Sequence, residues 1–315
     1  MLLLPGVPAR AQQAAQPPRF TSAVDVVSVT AVVRDRRGRF VRDLERRDFT
    51  VFEGGEARPL LDVRVEVDAP VRIALLIDVS GSMRMASKAV DARVAALQIF
   101  TALGPRDEVA LYAFDTQLER VAHFTSDVAR LEAALDEVVP PFGQTSLYDA
   151  VAKTAQDAVA RTARGSAGDL KSIAGSDAAP QRLAVVVLTD GIDTSSRFSP
   201  QQVSGIASGI DVPVYVLAVM FSIDDPGRFP AGQAAKSSSE LGSLSRWTGG
   251  ELFTASSPAQ SDIAARRIID ELRHQYVLAF EASTQPGWRP VEVRSRNRGH
   301  VVRVRAGYVA GGTGA

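Results

Sequence analysis

The spacing of apolar and polar positions divides the chain into three zones. From residue 71 to 275, continuous apolar runs alternate with stretches of helical period. "VRIALLIDV" (71–79) is apolar almost throughout, as a parallel strand covered on both faces must be. "SKAVDARVAALQIFTAL" follows, with Val90, Val94 and Leu97 at helical spacing, and Gly104-Pro105 stops it. "DEVALYAF" and "LERVAHF" read as two strands joined by a tight turn at Asp115-Thr116-Gln117. "SDVARLEAALDEV" reads as a helix with Ser126 as its N-cap, and "SLYDAVAKTAQDAVART" as another helix. "RLAVVVLTD" and "VPVYVLAV" are further buried strands; "SELGSLSRWT" is a helix, "GELFTA" an edge strand and "QSDIAARRIIDELRHQY" a last helix. Alternation of this kind predicts an α/β fold with a doubly wound, mostly parallel sheet and right-handed crossovers.

Both flanks are strand-rich. Ahead of the α/β zone stand "VDVVSVTAVVRD", "DFTVFEGG" and "ARPLLDVRVEV", the last with Val63, Val65 and Val67 alternating against polar neighbours. Behind it stand "QYVLAFEA", "RPVEVRSR" and "HVVRVRAGY". Each flank is too short for a core of its own. The expected solution is one small β-sandwich, a discontinuous domain of residues 20–70 and 276–309, with the α/β domain of 71–275 inserted. Residues 310–315 form a flexible tail in this reading. Two loops stand out, 164–181 before a strand and 221–239 after one; only the second falls at the ligand face.

Composition narrows the function. Lys plus Arg and Asp plus Glu number 36 each, so no global field draws the chain to nucleic acid or anionic membrane. Without cysteine, disulfides and thiolate metal sites are excluded. Leu2–Leu4 followed by Ala9-Arg10-Ala11 resembles the end of an export segment with a small-x-small cleavage site, so residues 1–19 are expected to be a signal-peptide remnant and the protein secreted or periplasmic. No later segment is apolar for long enough to span a bilayer as a transmembrane helix.

In open α/β sheets ligands sit at the carboxyl ends of the strands, near the point where strand order reverses. Three pieces of sequence should meet there: Asp78-Val79-Ser80-Gly81-Ser82, Thr145 in "FGQTSLYDA", and Asp190 in "LTDG". They bring three hydroxyls and two carboxylates, with no nitrogen or sulfur. An all-oxygen set suits a hard cation, Mg²⁺ or Mn²⁺. Neutral hydroxyl ligands would leave the ion much of its charge, and so attract an Asp or Glu from a protein partner.

Asp78-x-Ser80-x-Ser82, Thr145 and Asp190 resemble the metal-ion-dependent adhesion site of von Willebrand factor type A domains, a likeness that runs over about residues 71–275. It implies that Ser80, Ser82 and Thr145 ligate the metal, with Asp78 and Asp190 binding directly or through water. The flanks "VSVTAVVRDRRGRFVRDLERRDFTVFEGGEARPL" and "HQYVLAFEASTQPGWRPVEVRSRNRGHVVRVRAGY" look like those of the bacterial VWFA-related, Acidobacterial-type family, mostly exported proteins. The expected function is that of an exported, non-enzymatic, metal-dependent adhesion module. Its competitors are a magnesium-dependent hydrolase or phosphatase, and a scaffold whose ion only stiffens loops. Against phosphoryl transfer, Ser80 stands where a second acid would be expected, and no Lys follows in an obvious phosphate clamp. "DVSGSM" lacks the glycine-flanked elbow of a serine hydrolase.

Other residues read more plainly. Asp149 caps or complements its helix; Asp193, Thr194 and Ser195 form a loop; Asp224 and Asp225, before Pro226, form a turn. His123, His274 and His300 fall in unrelated segments, which opposes a zinc centre. Met83 and Met85 are packing residues. On the C-terminal hairpin, Arg294, Arg296, Arg303 and Arg305 are expected on one outer face, opposite Val291, Val293, Val302 and Val304. That face is solvated, or contacts an anionic envelope surface.

Overall fold

The computed structural model describes residues 26–84, 88–138, 142–169, 182–209, 211–219 and 231–310. Fourteen strands and six helices are described, numbered in chain order: β1 (Val26–Arg34), β2 (Phe49–Glu53), β3 (Glu56–Arg58), β4 (Leu60–Glu66), β5 (Val71–Asp78), α1 (Lys88–Ala102), β6 (Glu108–Phe114), β7 (Leu118–Thr125), α2 (Val128–Asp136), α3 (Leu147–Asp169), β8 (Arg182–Thr189), α4 (Pro200–Gly209), β9 (Val214–Val219), α5 (Ala231–Thr248), β10 (Leu252–Ala255), α6 (Pro258–Arg273), β11 (Gln275–Glu281), β12 (Gly287–Ser295), β13 (Val301–Arg303) and β14 (Gly307–Ala310).

The apolar run of β5 is central to the molecule because both of its faces are covered. Val71, Ile73, Leu75 and Ile77 join a core with α1, α2 and α6. Ala74 and Leu76 point the other way, into a core with α3, α4 and α5. The six-stranded sheet has the order β10-β9-β8-β5-β6-β7 and is parallel except for the β6–β7 pair. From β5 the chain goes first to β6 on one side and later to β8 on the other, so strand order reverses between β5 and β8. This is the doubly wound sheet that the alternation of runs predicts, with β10 at its edge.

The flanks make two four-stranded antiparallel sheets, β13-β1-β11-β4 and β14-β12-β2-β3. Each takes strands from both ends of the chain. Val29, Ala31, Val33, Tyr276 and Leu278 from the first sheet share a core with Phe49, Val51, Val291, Val293 and Tyr308 from the second. Neither end could bury these side chains without the other.

Several local expectations are corrected. The N-cap of α2 is Asp127, whose carboxylate accepts the Arg130 N–H, and Ser126 precedes it. Helix α3 continues to Asp169, and α5 begins at Ala231, so the expected loops 164–181 and 221–239 each lose one end to a helix. Their remaining residues, with Asp224, Asp225, Met85 and the two termini, lie outside the described residues. Val65 and Val67 alternate in sequence but are 38% and 48% exposed; Val65 lies on the edge strand β4, and Val67 lies just past its end.

The single arginine face is also overturned. Strands β12 and β13 lie in different sheets, so they form no hairpin. Arg294 is exposed, lying over the Phe52 ring and paired with Glu292. Arg303 turns inward to Glu251 and Glu271 of the α/β unit. Arg305, 8% exposed, reaches the Ser208 carbonyl at 2.9 Å and Asp211 at 3.1 Å. Two of the four side chains thus hold the flanks to the α/β unit and are withdrawn from any envelope surface. Among the described residues, no helix is long and apolar enough to cross a membrane.

Candidate metal centre

Strand β5 delivers Asp78 to the carboxyl end of the sheet, and β8 delivers Asp190 one residue past its own end. Both acids are buried, at 1% and 8% exposure. Asp78 is held from two sides: its Oδ1 accepts the Ser80 N–H at 2.9 Å and its Oδ2 the Thr189 hydroxyl at 2.6 Å. Thr189 also accepts the Gly191 N–H at 3.0 Å, so one hydroxyl fixes the acid of β5 and the turn after β8 together. Ser80 is fully buried, and its Oγ lies 3.1 Å from the Ser82 Oγ. The alternate positions thus place their oxygens side by side.

Backbone bonds tie the loop of Thr145 to both neighbours. Gly81 donates its N–H to the Gly143 carbonyl at 2.9 Å, and Phe142 donates to Val79 at 2.9 Å. Gly81 is required by this approach, since a Cβ there would stand 2.9 Å from the Gly143 oxygen. On the other side the Thr145 carbonyl accepts the N–H groups of Thr194 and Ser195, and the Thr145 N–H donates to the Thr194 hydroxyl at 2.9 Å. Thr194 and Ser195 therefore act as the clamp on Thr145. Asp193 accepts the Leu147 N–H at 2.9 Å at the start of α3, and Ser195 bonds Ser146. Asp149 accepts the N–H groups of Arg197 and Phe198, anchoring the loop after β8, a role that its own helix gave no sign of.

The electrostatics are those of a site short of positive charge. Burial, followed by repulsion from Asp190, pushes the Asp78 carboxyl up from 3.8 to about 7. Asp190 has a partner that the sequence reading missed: Lys88, at the start of α1, donates its ammonium to Asp190 Oδ2 at 2.8 Å. The pair is separated by 102 positions in sequence, so no motif announces it.

The donor chemistry fits a hard cation: two carboxylates and three hydroxyls, with no competing imidazole. Among the described residues, no three His, Cys, Asp or Glu side chains gather as a metal site. The histidines sit apart, His123 on β7, His274 at the end of α6 and His300 before β13. Met83 is fully buried, as expected of a packing residue.

Several solved structures are similar to this chain. An aerotolerance-related membrane protein from Bacteroides fragilis is 16% identical, with 64% of this chain and 98% of that one covered and a TM-score of 0.46. A von Willebrand factor type A protein from Catenulispora acidiphila is 12% identical, with 93% and 76% covered and a TM-score of 0.49. Proximal thread matrix protein 1 from the mussel byssus, solved with a zinc-occupied MIDAS motif, is 16% identical, with 70% and 50% covered and a TM-score of 0.46. At these identities the likeness concerns the course of the backbone and nothing more. No curated protein matches the sequence. A family model does match, that of the von Willebrand factor type A domain, over residues 73–192. Over that stretch, which carries Asp78, Thr145 and Asp190 alike, the match identifies a von Willebrand factor type A domain.

Proposed function

We propose that this protein is an exported, non-catalytic binding module that grips an acidic side chain of a partner protein through a divalent cation, Mg²⁺ or Mn²⁺. Ser80, Ser82 and Thr145 would hold the ion, with Asp78 and Asp190 binding directly or through water. The bound ion supplies one thing, electrostatic attraction for a further carboxylate oxygen. The chain's own residues supply the rest. Three loops are stitched edge to edge by backbone hydrogen bonds.

The observation that carries the reading is the meeting of three loops, after β5, before α3 and after β8, at the strand-order reversal. Export is supported by the N-terminal sequence, and by the likeness of the flanks to the Acidobacterial type. The test has two parts. Mg²⁺ or Mn²⁺ should raise the melting temperature of the wild type but leave Asp78→Ala and Ser80→Ala unmoved. A pull-down from the native envelope should release its partner when a chelator is added. Equal melting shifts in all three proteins would overturn the site, and a partner retained in chelator would leave only a scaffold. Turnover of phosphate or ester substrates that Asp78→Asn abolishes would replace binding with catalysis.

A further inference from the structure

Resting on that reading, the structure points to a competitor for the metal built into the chain. We propose that Lys88 is the internal counter-cation of the site: its ammonium neutralises Asp190 until a divalent ion displaces it, so that metal entry and release of Lys88 are one event.

Three observations carry this. The Lys88 ammonium lies 2.8 Å from Asp190 Oδ2, and the two side chains are 12% and 2% exposed, which makes this a buried pair and not a surface one. Asp190 Oδ1 faces its own loop and accepts the Ile192 N–H at 3.3 Å, so the lysine is on the oxygen less engaged by backbone. And Lys88 stands at the amino end of α1, where the helix dipole opposes a cation. The dipole does not explain a lysine there; the buried Asp190 carboxylate does.

The chemistry of lysine suits a displaceable cation. Its charge is compact and sits on a flexible four-carbon stem, whereas an arginine fork would bind the carboxylate through two bonds at once. A site that must first expel its own cation binds metal with an affinity lowered by the fraction of molecules in the expelled state. The wild-type site is therefore weaker than its donor set alone would make it. It is also held together when metal is scarce.

The test uses the full chain, with Mg²⁺ and Mn²⁺ as the probes, in calorimetric titrations of the wild type, Lys88→Met and Lys88→Gln. Met keeps the length and packing of the stem and removes the charge. Both variants should bind metal about tenfold more tightly or better, melt lower than the wild type in chelator, and gain more than the wild type from metal. A second readout needs no variant: acylation of Lys88, followed by mass spectrometry, should speed up several-fold when metal saturates the wild type. If the variants bind as the wild type does, or more weakly, Lys88 is not a competitor and the metal centre stands without it. If acylation of Lys88 is the same with and without bound metal, the displacement is likewise refuted. If neither the wild type nor the variants bind metal, the proposed centre itself falls.

Discussion

Glu271 offers the most demanding test of how the flanks are joined to the α/β unit. It lies on α6, is fully buried, and accepts Arg34 Nε of β1 at 2.9 Å. Its other oxygen receives Arg303 of β13, and Arg267 approaches at 3.4 Å. Replacing it by Gln keeps the volume and removes the charge on which two guanidiniums converge, whose side chains are 11% and 18% exposed. Removing one partner of a buried ion pair costs about 3–5 kcal/mol. Here the low end applies, because Glu251 still neutralises Arg303 and Asp270 lies 3.9 Å from Arg34. At about 2 °C per kcal/mol for a large chain, the melting temperature should fall by about 6 °C. Differential scanning calorimetry measures this directly. Limited proteolysis should cut the flanks before the α/β unit. Changing Arg34, Glu271 and Arg303 together to Met should recover most of the loss, since an apolar set leaves no unpaired charge. A drop below about 1 °C in Glu271→Gln, or a triple variant worse than the single one, would show that this network does not join the two parts.

Three further expectations concern the site. Gly81→Ala should destabilise the protein by about 1–3 kcal/mol in thermal melts and weaken metal binding, because its Cβ would press on the Gly143 oxygen that Gly81 itself bonds. Asp193→Ala should cost about 1 kcal/mol through the lost cap on Leu147; in titrations it should also lower metal affinity, by loosening the start of α3 two residues after Thr145. The raised Asp78 value predicts a pH dependence in chelator. Between about pH 4 and 7 the folded state keeps a proton that the unfolded state has lost, so stability should fall as pH rises through that window. Asp78→Asn should lack this component in urea titrations run across the same range.

Much of this was legible in local pattern. Runs such as "VRIALLIDV" and "RLAVVVLTD" can be buried only as strands covered on both faces, and the helical stretches between them force parallel pairing. Asp78, Ser80, Ser82, Thr145 and Asp190 can be picked out as proposed donors because each sits where a strand ends or a helix begins, which the same pattern locates. What tertiary structure alone decided is how distant charges settle. Lys88 finds Asp190, and Arg303 finds Glu271, only once the sheet has brought them together. Asp149, in the first turn of its own helix, also anchors the loop after β8. The arginines of the C-terminal segment look alike in sequence, yet Arg305 is buried, Arg303 half-buried and Arg294 and Arg296 exposed, because β12 and β13 enter different sheets. Hydrophobic burial repeats with the local period of helix or strand, and so is written along the chain. A charge is placed by whichever opposite charge the completed fold sets beside it, and that has no local period.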